Sequence, residues 1–161
     1  MPLYLVRHAK AGSRQNWVGD DRIRPLSKTG RRQSEALAQR LAPLDPSHLV
    51  SSPYVRCMQT LEPLARVVGL EVRSTEDLAE GASLHAAMEL LTSVPDRTVL
   101  CSHGDVIPEL ITGLERRGAV IATAPDWRKA TTWVLERSET GREDAFTRAE
   151  VWAPPEQAVD G

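Results

Sequence analysis

Cysteine is scarce in this chain. Cys57 and Cys101 are the only two among 161 residues, and they form neither a CxxC pair nor a dense framework. Disulfide staples and a cysteine-rich metal site are thereby disfavoured, and both thiols read as small apolar packing residues. No apolar run approaches membrane-spanning length, and the opening stretch Leu3-Tyr4-Leu5-Val6 meets Arg7 too early for a secretory leader. A protein with no membrane contact and a cytoplasmic location is expected. An excess of one charge is lacking too: 20 basic against 22 acidic residues leave −2, which argues against a binder of nucleic acid or of membrane surfaces. Internal repeats, low-complexity tracts and an interdomain linker are also missing.

What is present is enough for one core. At 161 residues and 41% hydrophobic content, a single domain over residues 1–152 is expected, followed by a disordered tail at 153–161 that carries two prolines. Leu3–Val6 and Thr98–Cys101 are short apolar runs with the look of buried strands. Further strands are expected at Ser47–Val50, Leu70–Arg73, Thr131–Glu136 and Phe146–Trp152. Helical spacing links Leu37, Leu41 and Leu44, then Leu61, Leu64, Ala65 and Val68, and again Ile107, Leu110, Ile111 and Leu114. Leu84–Leu91 adds another helix. Ser52 is placed to cap a helix running from Pro53 to Val68, with a kink or an early end at Pro63, and Asp105 to cap the next. Trp127, Trp133 and Trp152 read as core or sheet-face residues, and His48 as structural. Strands and helices alternate, so the fold class is an α/β sandwich.

Charge is unevenly spread. From Arg7 to Arg32 there are eight basic residues (Arg7, Lys10, Arg14, Arg22, Arg24, Lys28, Arg31, Arg32) against Asp20 and Asp21, a balance of +6 that leaves −8 elsewhere. An anionic ligand would be drawn to this segment. The stretch from Ala9 to Leu26 is long for a structureless connection, which marks it as functional. Two histidines, His8 and His103, each follow directly on an apolar strand, the position at which open α/β sheets bind ligands. Arg7 precedes one of them, and Arg56 lies in the first turn of the helix after the strand Ser47–Val50. Two histidines and two arginines can therefore meet at one sheet edge.

Arg7-His8-Ala9, the string Ser51-Ser52-Pro53-Tyr54-Val55-Arg56-Cys57-Met58-Gln59-Thr60, and Ser102-His103-Gly104 occur in the order and at about the spacing of the histidine phosphatase superfamily, which includes the phosphoglycerate mutases. The resemblance spans nearly the whole chain. Arg7-His8-Ala9-Lys10 with Arg24-Pro25-Leu26 is most similar to its short bacterial branch, that of the SixA-type phosphohistidine phosphatases and of the phosphatase domain fused to Nudix hydrolases in actinobacteria. This implies a phosphoglycerate mutase-like, three-layer α/β/α sandwich with a mostly parallel central sheet.

The same resemblance implies a chemistry. A neutral imidazole is a usable nucleophile near pH 7, so His8 would take the phosphoryl group covalently. Arg7 and Arg56 would stabilise the charge spread over its oxygens, and His103 would complete the clamp. Glu80, in Leu78-Ala79-Glu80-Gly81, matches the segment from which the family draws its proton donor. No metal and no cofactor are required. The loop after His8 departs from the larger family, which carries an asparagine six residues after the histidine where this chain has Arg14. Arg14 or Asn16 is the candidate for that phosphate contact, Arg22 and Arg24 for the remainder of the substrate, and Gly104 completes the binding set. Trp17 either stacks on a ring of the substrate or packs the loop down, and His85 is a candidate for the pocket rim.

Neither cysteine has an arginine six residues on, and Walker A and Nudix motifs are missing, which sets aside other phosphoryl-transfer chemistries. The partner expected is a phosphorylated small molecule or nucleotide, hydrolysed at a phosphomonoester or phosphoanhydride. The alternatives are a phosphohistidine protein and a non-catalytic phosphate-binding domain. Nothing in the pattern demands a second subunit, and a monomer is expected.

Overall fold

Alternate side chains of the first strand, β1 (Pro2–Arg7), serve two different cores. Leu3 and Leu5 face one side of the sheet and Tyr4 and Val6 the other, as the two-residue period of a strand requires. All four are buried, which is why the segment reads as an uninterrupted apolar run. The computed structural model describes residues 1–138 and 146–156. Within them β1 is followed by α1 (Lys28–Leu41), β2 (His48–Ser51), α2 (Val55–Val68), β3 (Val72–Ser74), α3 (Leu84–Ser93), β4 (Thr98–Ser102), α4 (Val106–Arg116), β5 (Val120–Ile121), β6 (Thr132–Arg137) and β7 (Phe146–Trp152).

The strands make one sheet in the order β3-β2-β4-β1-β6-β7-β5. β3, β2, β4 and β1 run parallel, β6 is antiparallel to both β1 and β7, and β5 pairs parallel with β7. The sheet is mixed, and mostly parallel as expected. Met88 and Leu91 of α3 with Leu110, Ile111 and Leu114 of α4 cover the face carrying Leu3 and Leu5. Leu37 and Leu41 of α1 with Leu61 and Leu64 of α2 cover the face carrying Tyr4 and Val6. These are the three expected layers, and each fully buried leucine contributes about 1.5–3 kcal/mol relative to exposure.

Several local expectations are corrected. α2 begins at Val55, not Pro53, because Tyr54 is still extended (φ −60°, ψ 136°), so Ser52 is not its N-cap. Pro63 does not end α2, whose buried Leu61 and Leu64 hold it through to Val68; packing outweighs the local cost of the ring. Gly69 then closes the helix at φ 72°, and Leu70 still bonds back to the Ala65 carbonyl, so the next strand starts at Val72 rather than Leu70. Leu44 lies in a short 3-10 turn after α1, not in that helix. Asp105 stands at the α4 N-cap position without capping it, since its carboxylate accepts from the Gly81 N–H at 2.8 Å.

The stretch from Ala9 to Leu26 is not structureless: Ala11 bridges Leu26, and Asp21–Ile23 forms a 3-10 turn. Trp133 is buried and Trp152 packs on Tyr4, but Trp127 is exposed, stacking by one face on Trp133. Of the expected tail, Ala153–Glu156 has no regular structure, and the Ala153 carbonyl accepts from Arg40. Residues 157–161 lie outside the described residues. No helix among the described residues is long and apolar enough to cross a membrane.

Candidate active site

Parallel pairing of β1 with β4 sets Arg7 opposite Ser102, so the residues that follow, His8 and His103, emerge side by side at the carboxyl end of the sheet. The His8 N–H donates to the Ser102 carbonyl at 3.1 Å, and the two rings stand 5.4 Å apart, edge to face. His8 is buried, with Nδ1 2.8 Å from the Ala9 carbonyl oxygen. A carbonyl only accepts, so Nδ1 carries the proton and Nε2 keeps its lone pair. Burial, reinforced by the nearby His103, Arg56 and Arg7, pushes the His8 pKa down to about 3 despite the opposing pull of the Ala9 carbonyl. The imidazole is therefore neutral at pH 7 and presents a nucleophilic nitrogen.

His103 is held from below. Its Nε2 lies 2.8 Å from the Ser52 hydroxyl and 3.5 Å from the Cys57 sulfur. Ser52 Oγ also accepts from the Tyr54 N–H at 3.3 Å. The His103 Nδ1 is buried and has no partner. Tyr54 meets the ring edge-on at 4.7 Å.

The two arginines are built in differently. Arg7 lies against Gly104, where a Cβ would come within 2.7 Å of its guanidinium carbon, and it donates to the Trp127 carbonyl. Arg56, 1% exposed, donates through Nη1 to the Asp21 carbonyl at 2.9 Å and through Nη2 to the Asp21 carboxylate at 3.1 Å. It does not line the cavity. Its plane covers Tyr54, 4.8 Å from the ring centroid. Arg7 Nε and Arg56 Nε are buried donors without an acceptor, and His103 Nδ1 is a buried ring nitrogen without a partner. Each such donor costs about 1–3 kcal/mol. These two donors and the open His103 Nδ1, from three elements around His8, suit an anion with several oxygens.

A cavity of about 620 Å³ opens beside His8, lined also by Arg7, Arg14, Arg24, Glu80, His103 and Gly104. Glu80 pairs with Arg14 at 3.1 Å and lies 3.7 Å from Arg56. Arg24 is buried, donating to the Asp21 carboxylate at 2.9 Å and to the Gly12 carbonyl at 2.6 Å. Burial pushes the Asp21 carboxyl up, but Arg24 and Arg56 outweigh it and hold that group below the usual carboxylate range.

Other expected residues are not gathered here. Asn16 is exposed on the turn at 14–16 and does not line the cavity, whereas Arg14 of the same turn, itself exposed, reaches the cavity rim in its pair with Glu80. Arg22 pairs with Glu76 and covers the outer face of Tyr54. Trp17 packs its own loop, donating to the Asp20 carbonyl. His85 is on the exposed side of α3 with Glu89, and His48 is exposed beside Ser47. Among the described residues no group of three or more histidines, cysteines or carboxylates could hold a metal ion.

Some supporting residues went unassigned in the sequence. Thr60 Oγ1 accepts from the Ala9 N–H and donates to the Arg56 carbonyl, Gln59 accepts from the Leu26 N–H, and Ser52 orients His103. Their positions in the Ser51–Thr60 string were the available signal. Asp21 had none beyond being an acid within a basic stretch.

Residues 3–83 match the model of the histidine phosphatase superfamily, branch 1. An 8-oxo-(d)GTP phosphatase of Mycolicibacterium smegmatis is 36% identical over 159 residues, 95% of this chain and 48% of that protein. The chain thus spans about half the length of that relative, and matches 20–34% of the length of the other curated relatives compared. The protein histidine phosphatase SixA in complex with tungstate superposes with a TM-score of 0.76 at 18% identity, over 96% of this chain and 97% of that one. A mycobacterial glucosyl-3-phosphoglycerate phosphatase with VO3 does so with a TM-score of 0.68 at 19% identity, over 94% and 97%. At these identities the two superpositions establish the fold.

Proposed function

Because the chain belongs to the histidine phosphatase superfamily, branch 1, we propose that it hydrolyses phosphorylated small molecules or nucleotides through a phosphoryl group carried on His8. One observation carries this reading: a neutral, buried His8 with a free Nε2 stands among unpaired donors of Arg7 and Arg56 and the open Nδ1 of His103. Nε2 attacks phosphorus, and the bond to the leaving oxygen breaks with its electron pair. Arg7, Arg56 and His103 bind the equatorial oxygens more strongly as charge builds on them. Glu80 hands a proton to an alkoxide leaving group and, as carboxylate, takes one from the water that then attacks phosphohistidine. Neither a metal nor a cofactor takes part, and a monomer in the cytoplasm suffices.

The test is turnover of p-nitrophenyl phosphate by the full chain, with acid-labile label trapped from a radioactive phosphate ester and mapped by mass spectrometry. Labelled His8 and loss of turnover in His8→Ala are expected. Equal turnover in wild type and His8→Ala would overturn the reading. A phosphohistidine protein in the same panel tests the SixA-type alternative.

A further inference from the structure

Lys10, Arg24 and Lys129 reach the His8 cavity from two segments: Lys10 and Arg24 from the two ends of the Ala9–Leu26 loop, drawn together by the Ala11–Leu26 bridge, and Lys129 from the turn leading into β6. A run of basic residues along one face is usually just solvated surface. Lys129, more than a hundred residues from the other two, is not part of such a run. Arg14, a fourth cation at the cavity, is paired with Glu80. Lys10 and Lys129 have no carboxylate at ion-pair distance among the described residues. Burial, and then the charges of Arg7, Arg24, Lys10 and Arg14, hold the Lys129 ammonium below its ordinary pKa.

Lys129 is also fixed in place by the site itself. The Ala130 N–H donates to the carbonyls of Arg7 (3.2 Å) and His8 (3.3 Å), and the Arg7 guanidinium binds the Trp127 carbonyl. Ala130 is buried at φ 66°, a left-handed conformation that a side chain disfavours and that the bonds to β1 impose. The backbone of the nucleophile thus positions a cation beside it. Arg24 uses Nε on Asp21 and Nη1 on Gly12, so Nη2 is left for a ligand.

Arg7, Arg56 and His103 already match one phosphoryl group. Two ammonium groups without a carboxylate partner, Lys10 and Lys129, beside Arg24, whose Nη2 is free although its Nε is paired with Asp21, fit a substrate with a second phosphate. Resting on the His8 reading above, we propose that Lys10, Arg24 and Lys129 form a second phosphate site and that the substrate is an organic diphosphate, cleaved at its phosphoanhydride bond. The terminal phosphoryl goes to His8. The P–N bond forms at Nε2 as the bridging P–O bond breaks, and the electron pair stays on the bridging oxygen, which leaves on an organic monophosphate. Charge developing on that inner phosphate is met by the three cations, so this step draws no proton from Glu80 in its pair with Arg14. Water then attacks, its proton passes to Glu80, the P–N electron pair returns to Nε2, and inorganic phosphate departs.

ADP and AMP are the probes, with the full chain. Wild type should show a kcat/KM for ADP at least tenfold above that for AMP, giving AMP and inorganic phosphate. Lys129→Ala and Lys10→Ala should each lower the ADP-to-AMP ratio at least fivefold, with Lys129→Arg restoring it. Lys10 is exposed, so its variant keeps the test sound if Lys129→Ala disturbs the turn. A wild-type ratio near one, or equal losses on both nucleotides, as mere steering of anions would give, overturns the second site while labelled His8 and monoester turnover leave the phosphatase reading standing. No turnover of either nucleotide or of p-nitrophenyl phosphate, and no label, overturns both.

Discussion

Asp21 grips Arg56 at two points, with its main-chain carbonyl on one terminal nitrogen and its carboxylate on the other, and the same carboxylate binds Arg24. The guanidinium of Arg56 is thereby fixed under the site by a residue from the loop after His8. Asp21→Ala would leave Arg56 buried with a reduced set of acceptors. It should cost about 1–3 kcal/mol in urea unfolding and lower kcat/KM on p-nitrophenyl phosphate about tenfold or more. Wild-type activity in this variant would mean that Arg56 needs no such anchor.

The displaced pKa of His8 has two consequences with pH. Below pH 6.5 an ordinary histidine gains a proton, whereas His8 stays neutral until about pH 3. The acid limb of kcat/KM on a phosphomonoester should therefore not bend at pH 6.5 on account of the nucleophile. As for stability, the unfolded chain binds a proton in this window and the native chain does not. The contribution of neutral burial is complete above pH 6.5 and is lost as pH falls toward 3, by at most about 1.4 kcal/mol per pH unit. Urea unfolding of wild type and His8→Asn between pH 7 and 4 should show the steeper decline in wild type.

Glycine spacing separates function from folding. At Gly104 a Cβ would fall 2.7 Å from the Arg7 guanidinium, the end of a side chain. Gly104→Ala should fold and lose kcat. At Gly30 a Cβ would lie 1.9 Å from the Lys10 carbonyl oxygen, which is backbone. Gly30→Ala should lose stability, by about 1–3 kcal/mol or more in thermal or urea unfolding. Gly12 has nothing within 4 Å, and Gly12→Ala is the control that should leave stability intact.

Ser52 acts through His103. Removing its hydroxyl in Ser52→Ala takes away the 2.8 Å bond that orients the His103 ring through Nε2. A fall in kcat larger than any change in KM is expected, because the misplaced ring is needed most as charge grows on the phosphoryl oxygens. A pure KM effect would place Ser52 in substrate binding instead.

Much of this site was legible before folding. Strand ends at Arg7-His8 and Ser102-His103 were written by apolar runs that stop abruptly, and parallel pairing turned those two stops into neighbours. Glu80, Arg14 and Arg24 also line the cavity. Asn16 does not, although it shares a turn with Arg14, and nothing in the one-dimensional pattern says which of the two reaches the cavity. Ser52 was misread for a related reason: a serine before a helix satisfies the capping rule, but Tyr54 stays extended and α2 starts only at Val55, so the hydroxyl meets the Tyr54 N–H and His103 instead of the first turn.

The sequence by itself determined the alternation of strands and helices, the two-faced strand β1, and the chemical kinds of residue brought to the site. These depend on periodicity and residue type, which are local. Only the tertiary structure decided that His8 is neutral with its proton on Nδ1, that Asp21 anchors Arg56, and that Lys129, more than a hundred residues away, stands beside the nucleophile. Burial, tautomer and charge environment are properties of space around a group, and they exist only once distant segments have closed around it.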